Sequence, residues 1–395
     1  MHIIVVGSGI LGSLTALLAS RRGARVTLLE ERDELWTEAS LVNEGKVHLG
    51  PVFALGDAAT HEVMLRGALA FAPVVERALG GAPDWRRWAT DEFDYLVMPD
   101  SLARPDELVP RYRAMNELAT QLPAADRANY LGAPLERIMH LTSQPWQGSD
   151  ITAFHSAERA VDPILLRAAV VEAIDADPRI EVLTGTRATV LGTDADRGTV
   201  RIERDDAVET VTADAVVNAA WRQQAALLPV ERPQWNFRIK AAARIELPPG
   251  LPTVTLVQGP YGDVVPHHDY AYVSWYPEAR LSNEHGTEPS TDALTAADAY
   301  CADPASAPRQ LGALHRLGLL PAPETIAVRE VVAGVIIGHG PLDIHDRRSG
   351  LHTRSQFGVR TDGRVVTPLT FKLTTAPLAA AQTVDAIAAH WGGLA

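Results

Sequence analysis

Cysteine occurs once in the 395 residues, at Cys301. A single thiol excludes a disulfide framework and a thiolate metal cluster, and it agrees with a reducing compartment, so cytoplasm is the expected location. Basic residues are also short: 36 Lys and Arg face 49 Asp and Glu, a formal charge of −13. That balance opposes binding to nucleic acid or to anionic membrane surfaces and leaves small molecules as the expected partners. No apolar run reaches the length of a membrane span; the one that opens the sequence is short, lacks a basic leader and is needed as a strand. Internal repeats and low-complexity tracts are missing too. What is present, 46% hydrophobic residues over a length that suits two domains, can bury an extensive core.

The first thirty residues carry the strongest pattern. Ile3-Ile4-Val5-Val6 reads as a buried strand, Gly7-Ser8-Gly9-Ile10-Leu11-Gly12 as a loop, and an apolar helix and a second strand ending in Glu30 follow. This order builds a dinucleotide pocket: Gly7 permits the tight turn, Gly9 lets backbone approach a pyrophosphate, and Gly12 lets the helix sit close to the strand. Unpaired N–H groups at the helix start then meet the phosphates. Glu30 is placed to accept both hydrogen bonds of an adenosine ribose, which argues against a 2'-phosphate and hence against NADP.

Further along, apolar spacing predicts a helix over 60–79, broken by Gly80-Gly81-Ala82-Pro83. Residues 84–147 change to strands and helices rich in Trp, Tyr and Pro and read as an insertion. Asp162-Pro163 caps a helix to about Ile174, and strands are expected over 180–183, 188–191, 199–203 and 208–211. Ala215 to Ala220 reads as a buried strand ending in small residues, a second contact point for a cofactor. Alternating apolar residues between Arg238 and Tyr276 predict an antiparallel sheet. Helices over 291–317, a hairpin turning at Asp362-Gly363 and a final helix from Ala376 to Trp391 complete the chain.

Four segments in this order carry a resemblance: the opening glycine fingerprint, Asn43 to Gly50 (Asn-Glu-Gly-Lys-Val-His-Leu-Gly), Val217-Asn218-Ala219-Ala220, and Lys372-Leu373-Thr374-Thr375 before the last helix. Together they resemble the FAD-dependent oxidoreductases of the D-amino-acid oxidase and glycine oxidase superfamily, over nearly the whole chain. Asn43 to Gly50 looks most like L-2-hydroxyglutarate dehydrogenases, and Gly350 to Gln356 like a late strand of that hydroxyacid group. Lys372 to Thr375 looks like the flavin-dependent glycerol-3-phosphate dehydrogenases. The implied fold class is α/β (α+β overall), a Rossmann-like FAD-binding domain with a second, antiparallel-sheet substrate domain. The FAD-binding domain would be discontinuous, 1–83 with 151–225 and 336–395, and the substrate domain would comprise 84–150 with 226–335.

The resemblance also assigns residues. Gly7, Gly9, Ile10, Leu11, Gly12 and Glu30 would hold the ADP half of FAD, with Glu31 and Arg32 nearby. Ser40, Asn43 and Gly45 would line the ribityl and pyrophosphate region, and Ala188 would meet adenine. Ala220 and Trp221 depart from the common Ala-Gly ending, which implies a bulkier wall near the flavin. Lys372, Leu373 and Thr374 would present N–H groups and a cation to the flavin's pyrimidine edge, where negative charge gathers on reduction.

Each chemical role has a plainer counterpart. His48 could accept a substrate O–H or N–H proton while hydride leaves carbon, since imidazole titrates near neutrality; it could equally be a structural histidine or a covalent flavin attachment point. Lys372 is a catalytic candidate as well as a cofactor contact, against a solvent-facing turn lysine. Arg354 could clamp a substrate carboxylate bidentately or be an ordinary strand-edge arginine. Tyr261, Tyr272, Trp275 and Tyr276 could wall the substrate pocket or belong to the core. His267-His268-Asp269 reads as a polar hairpin turn, because adjacent strand histidines face opposite sides; no metal site is expected. Cys301 reads as a buried small hydrophobe, and Trp85-Arg86-Arg87-Trp88 as packed surface.

The resulting expectation is an FAD-dependent oxidoreductase that takes hydride from a CH–OH or CH–NH carbon of a small polar substrate, with oxygen or another acceptor reoxidising the flavin. The His48 segment favours the alcohol, and a role in specialised bacterial biosynthesis agrees with the composition. The alternatives are an amine or amino-acid oxidase, an NAD-binding protein without flavin, and an inactive homologue that keeps FAD structurally.

Overall fold

The computed structural model describes residues 1–228 and 232–394; of the expected substrate-domain segment 226–335, residues 229–231 lie outside it. β1 (His2–Val6), α1 (Ile10–Arg21) and β2 (Arg25–Leu29) form the predicted βαβ unit, with His2 to Val6 paired in parallel to Arg25 to Leu29. Gly7 turns with φ +94°, and a Cβ there would lie 2.6 Å from the Ala219 carbonyl oxygen. A Cβ on Gly12 would collide with the Gly7 carbonyl, so Gly12 sets how closely α1 packs on β1. α1 is buried around nearly its whole circumference, between the sheet and the helix Ala376–Trp391.

Strands from three distant stretches complete this sheet. Ala215–Asn218 pairs with β1 on the side away from β2, Val365–Leu369 lies beyond it, and Ile180–Leu183 flanks β2. All of these pair in parallel, and Gly358–Asp362 adds an antiparallel edge. β1 therefore stands between strands reached by opposite crossovers, which opens a crevice beyond its carboxyl end. The strand Ala207–Ala213 and its neighbours Arg187–Asp194 and Arg197–Arg204 form a separate three-stranded meander.

A nine-stranded sheet among the described residues forms the second layer. Its centre is Trp235–Glu246, antiparallel to Tyr270–Trp275, Arg280–Gly286 and Val328–His339. The expected antiparallel character holds with one exception: Asp94–Val97 pairs in parallel with Val254–Val257. Four strands of this sheet were not read from the sequence, Thr152–Ser156, Gly262–Pro266, Arg280–Gly286 and Val328–His339. The last crosses the boundary expected at 336, and Thr152–Ser156, expected with the cofactor domain, also joins this sheet. The helix predicted over 60–79 runs Ala58–Leu79 and stops at Gly80 in the left-handed conformation. Asp162 caps Pro163–Asp175 by accepting from the Ile164 and Leu165 N–H groups, as predicted.

Smaller expectations fared unevenly. His267 to Asp269 form the hairpin turn between Gly262–Pro266 and Tyr270–Trp275. Trp85 is buried edge-to-face against Trp88 and donates to Glu76. Cys301 is half-buried in a helix rather than buried. Gly350 to Gln356 is no strand: Gly350–His352 is a short 3-10 turn in the connection after Val328–His339. Among the described residues no helix is long and apolar enough to cross a membrane.

Candidate active site

Two cavities meet at the carboxyl end of β1. The smaller, about 660 Å³, is bounded by the Gly7 to Gly9 loop, Glu30, Glu31, Ala188, Ala220 and Trp221. The larger, about 1550 Å³ and open to solvent, continues from Gly9, Ser40 and Trp221 to His48, Arg354 and Lys372 between the two sheets. Together they form one long trough shaped for an extended dinucleotide with space beyond it. Its narrow end suits the ADP half of FAD. The first-turn N–H groups of α1 have no partners within the helix, and Gly9 leaves backbone bare, since a Cβ there would lie 2.8 Å from Ser40 Oγ. Glu30 lines the trough while accepting from the Ser8 and Arg32 N–H groups and the Ser8 hydroxyl, so its carboxylate is held in place. These residues fit an adenosine diphosphate cradle.

Most expected cofactor residues line the trough, and four do not. Gly12 acts through helix packing. Gly45 serves a turn: its φ is +77°, and a Cβ would strike the Val161 carbonyl. Arg32 is exposed and paired with Glu38 at 2.9 Å. Thr374 is fully buried; its hydroxyl accepts from His48 N–H at 2.9 Å and so ties the Lys372 turn to the His48 strand. Trp221 is held at φ +44°, a conformation easiest for glycine, and its indole N–H donates to the Val335 carbonyl. Its ring borders both cavities, the bulkier wall that the sequence implied.

His48 is the best-supported reactive group. Its Nδ1 lies 3.0 Å from Glu158 Oε1, and Glu158 also accepts from the Tyr95 hydroxyl at 2.6 Å and from Leu49 N–H at 2.8 Å. Because the carboxylate can only accept, it fixes the proton on Nδ1 and leaves Nε2 as an acceptor in the cavity wall. Burial lowers the His48 pKa below 6.5 despite Glu158, which keeps the ring neutral at physiological pH. Burial would push Glu158 up, but His48, Lys46 and Tyr95 reverse the sign and hold it ionised. No periodicity or spacing in the sequence pointed to Glu158; it arrives from a two-residue turn between strands 110 positions away.

Lys46, two residues before His48, is buried and bonded to Asp263 at 2.9 Å and Thr255 at 2.8 Å, both on the nine-stranded sheet. This ion pair pins the His48 strand to the substrate sheet. Asp263→Asn is expected to cost about 3–5 kcal/mol, because Lys46 would stay buried without its counter-charge. Equilibrium urea unfolding measures it, and a loss below about 1 kcal/mol would show that Glu158 and Glu44, the other carboxylates acting on Lys46, suffice as its counter-charge.

The far end of the cavity is cationic. Arg354 and Arg238 are both buried, each has an Nε without a partner among the described residues, and Arg238 disfavours the charge on Arg354. Burial, and then Arg238, bring the Arg354 pKa down to about 9. Asp343 is the carboxylate beside them, 3.4 Å from Arg238 and hydrogen-bonded to the Tyr276 hydroxyl at 2.7 Å. Lys372 faces the same space, and burial brings its pKa to about 8. Arg354 is thus no strand-edge residue, and Arg238, its partner, was missed because it sits in an ordinary-looking strand. Tyr261 and Tyr276 line the cavity. Tyr272 and Trp275 do not; Tyr272 shares a sheet face with Arg238, Lys240 and Asp263 but packs into the core beside the trough, 3% exposed.

A dinucleotide trough at a sheet crevice, opening on a chamber with a neutral imidazole and buried cations, defines a nucleotide-dependent redox enzyme. Residues 2–299 match the family model described as DAO, FAD dependent oxidoreductase, and the chain belongs to that family of FAD-dependent enzymes. Solved structures share the fold. Glycine oxidase from Geobacillus kaustophilus is 15% identical with a TM-score of 0.64, covering 100% of this chain and 96% of its own. L-amino acid deaminase from Proteus myxofaciens gives 14% and 0.67, with 100% and 91% coverage. L-α-glycerophosphate oxidase from Mycoplasma pneumoniae, solved with FAD bound, gives 16% and 0.63, with 98% and 94%.

Proposed function

We propose that this chain oxidises the CH–OH carbon of a small hydroxy acid to a carbonyl, with His48 as the base. The observation that carries this reading is the pairing of a neutral, Glu158-oriented imidazole with two buried arginines, each with an unpartnered Nε, in one cavity. Arg354 and Arg238 supply donors for the substrate's carboxylate. His48 Nε2 takes the hydroxyl proton, which lets the carbon–oxygen double bond form as hydride departs. Bound FAD supplies the acceptor for that hydride. Gly7, Gly9, Glu30 and Ser40 would hold its nucleotide half, and Lys372 with the Leu373 turn would face its ring. The cations Arg354, Arg238 and Lys372 make the chamber hostile to an ammonium group and congenial to an anion.

Anaerobic mixing of the flavin-loaded protein with panels of hydroxy acids and amines tests this reading. The flavin band at about 450 nm is expected to bleach with hydroxy acids and to persist with amines. Bleaching by amines alone, with ammonia released when air is admitted, would establish the amine-oxidase alternative instead.

A further inference from the structure

We propose that Glu44 binds a second hydroxyl of the substrate, beside the one that His48 deprotonates, so that the preferred substrates are vicinal dihydroxy acids. The proposal rests on the hydroxy-acid reading above. Glu44 belongs to the Asn43 to Gly50 segment, yet neither the glycine fingerprint nor the base chemistry uses it.

Its position is fixed by its neighbours. The Asn43 side chain donates to the Ala39 and Ser40 carbonyls and accepts from Gly45 N–H, and Gly45 is locked in the left-handed conformation against Val161. Between them the Glu44 side chain, 21% exposed, enters the cavity wall. Its carboxylate accepts no side-chain or backbone hydrogen bond among the described residues. Oε1 stands 3.9 Å from His48 Nε2, too far for a bond between them. Both atoms are acceptors, because the His48 proton is on Nδ1. Two acceptors side by side, both short of a donor, call for a ligand with two donors.

A primary amine and a vicinal diol each offer two donor hydrogens, and charge separates them. Lys372, with Lys240 and Lys46, outweighs both burial and Asp263 and holds Glu44 ionised, so the surroundings already carry more positive charge than negative. A further ammonium would enter that field at a cost, whereas neutral hydroxyls would not. Oxygens on adjacent carbons in the gauche arrangement lie close enough for one to donate to Nε2 and the other to Oε1. A hydroxyl donating to a carboxylate is among the stronger hydrogen bonds available in such a site.

Calorimetry on the flavin-loaded protein with three carboxylic acids decides the matter. The probes are 2-hydroxy-2-methylpropanoate, 2,3-dihydroxy-2-methylpropanoate and 2-amino-2-methylpropanoate, which carry no hydrogen on the reacting carbon and bind without turnover. The dihydroxy acid is expected to bind about tenfold or more tightly than the monohydroxy acid. Glu44→Ala is expected to reduce that ratio to within about twofold, and Glu44→Gln, which keeps an uncharged acceptor, to give an intermediate ratio. Since the carboxylate is bonded to nothing, the Gln variant in particular is expected to fold and to retain flavin. Equal binding of the two hydroxy acids, or a ratio that survives Glu44→Ala, would overturn the role of Glu44 while leaving the hydroxy-acid reading intact. Preferential binding of the amino acid would assign Glu44 to an ammonium and overturn it too. If none of the three binds at millimolar concentration, the hydroxy-acid reading falls and this proposal with it.

Discussion

His48→Asn is expected to slow reduction of the bound flavin by about 10²–10⁴-fold without releasing the flavin. The amide nitrogen of Asn can still donate toward Glu158, so the buried carboxylate is not left bare, while the acceptor at Nε2 is gone. Stopped-flow reduction under anaerobic conditions gives the rate, and the visible spectrum gives the flavin content. Loss of flavin with the substitution would point to the structural or attachment role instead. The wild-type pH profile carries a second signature. The base works only when neutral, and burial lowers its pKa below 6.5, so the reduction rate is expected to hold through neutrality and fall on the acid side below that value. Glu158→Gln removes the charge that favours imidazolium, so the acid limb is expected to move to still lower pH.

Arg354→Met is expected to weaken binding of the anionic substrate about 10–100-fold while leaving the free protein as stable as before or more so. The two effects have opposite signs for one reason. Arg354 is buried against Arg238 with its Nε unpartnered, so its charge opposes folding until an anion arrives. Its folded pKa, about 9, lies below the ordinary guanidinium value, so the unfolded chain binds this proton more tightly. The folding penalty is therefore complete below pH 9 and is relieved only as pH rises beyond it. At pH 7 the substitution removes the whole penalty, and stabilisation of about 1–4 kcal/mol is in range once packing losses are counted. Thermal unfolding with and without substrate separates the effects: the substrate-induced rise in Tm should shrink in the variant. A variant that unfolds earlier and binds substrate as before would show Arg354 to be structural.

The same division runs through the site. Gly7, Gly9 and Glu30 were legible because a dinucleotide constrains backbone over a few adjacent residues, and those constraints leave glycines and an acid at set distances, whereas Ser40 came from the family resemblance alone. Gly45 and Thr374 were assigned to the cofactor because they sit in the right segments. Their actual work, a turn against Val161 and a tether to His48 N–H, depends on chain that arrives from elsewhere. Tyr272 was placed in the pocket wall because it does sit on the sheet face that bears the trough; only the packing around it shows that core, not cavity, covers its ring. The edge strand Val328–His339 was missed for a related cause: its pairing partner lies about ninety residues back, and its own residues are only partly buried.

By itself, the order of residues determined the βαβ nucleotide unit, the discontinuous build of its sheet, and His48 and Arg354 as groups to watch. The βαβ unit arises from local backbone needs and short-range periodicity, which neighbouring residues record, whereas the discontinuous sheet, His48 and Arg354 followed from segments whose order resembles a known family. The folded chain alone decided that Glu158 aims His48, that Arg238 faces Arg354, and that Asp263 neutralises Lys46. Such pairings join side chains up to more than two hundred positions apart, and a charge carries no mark of its partner until burial strips away the water that would otherwise serve in its place.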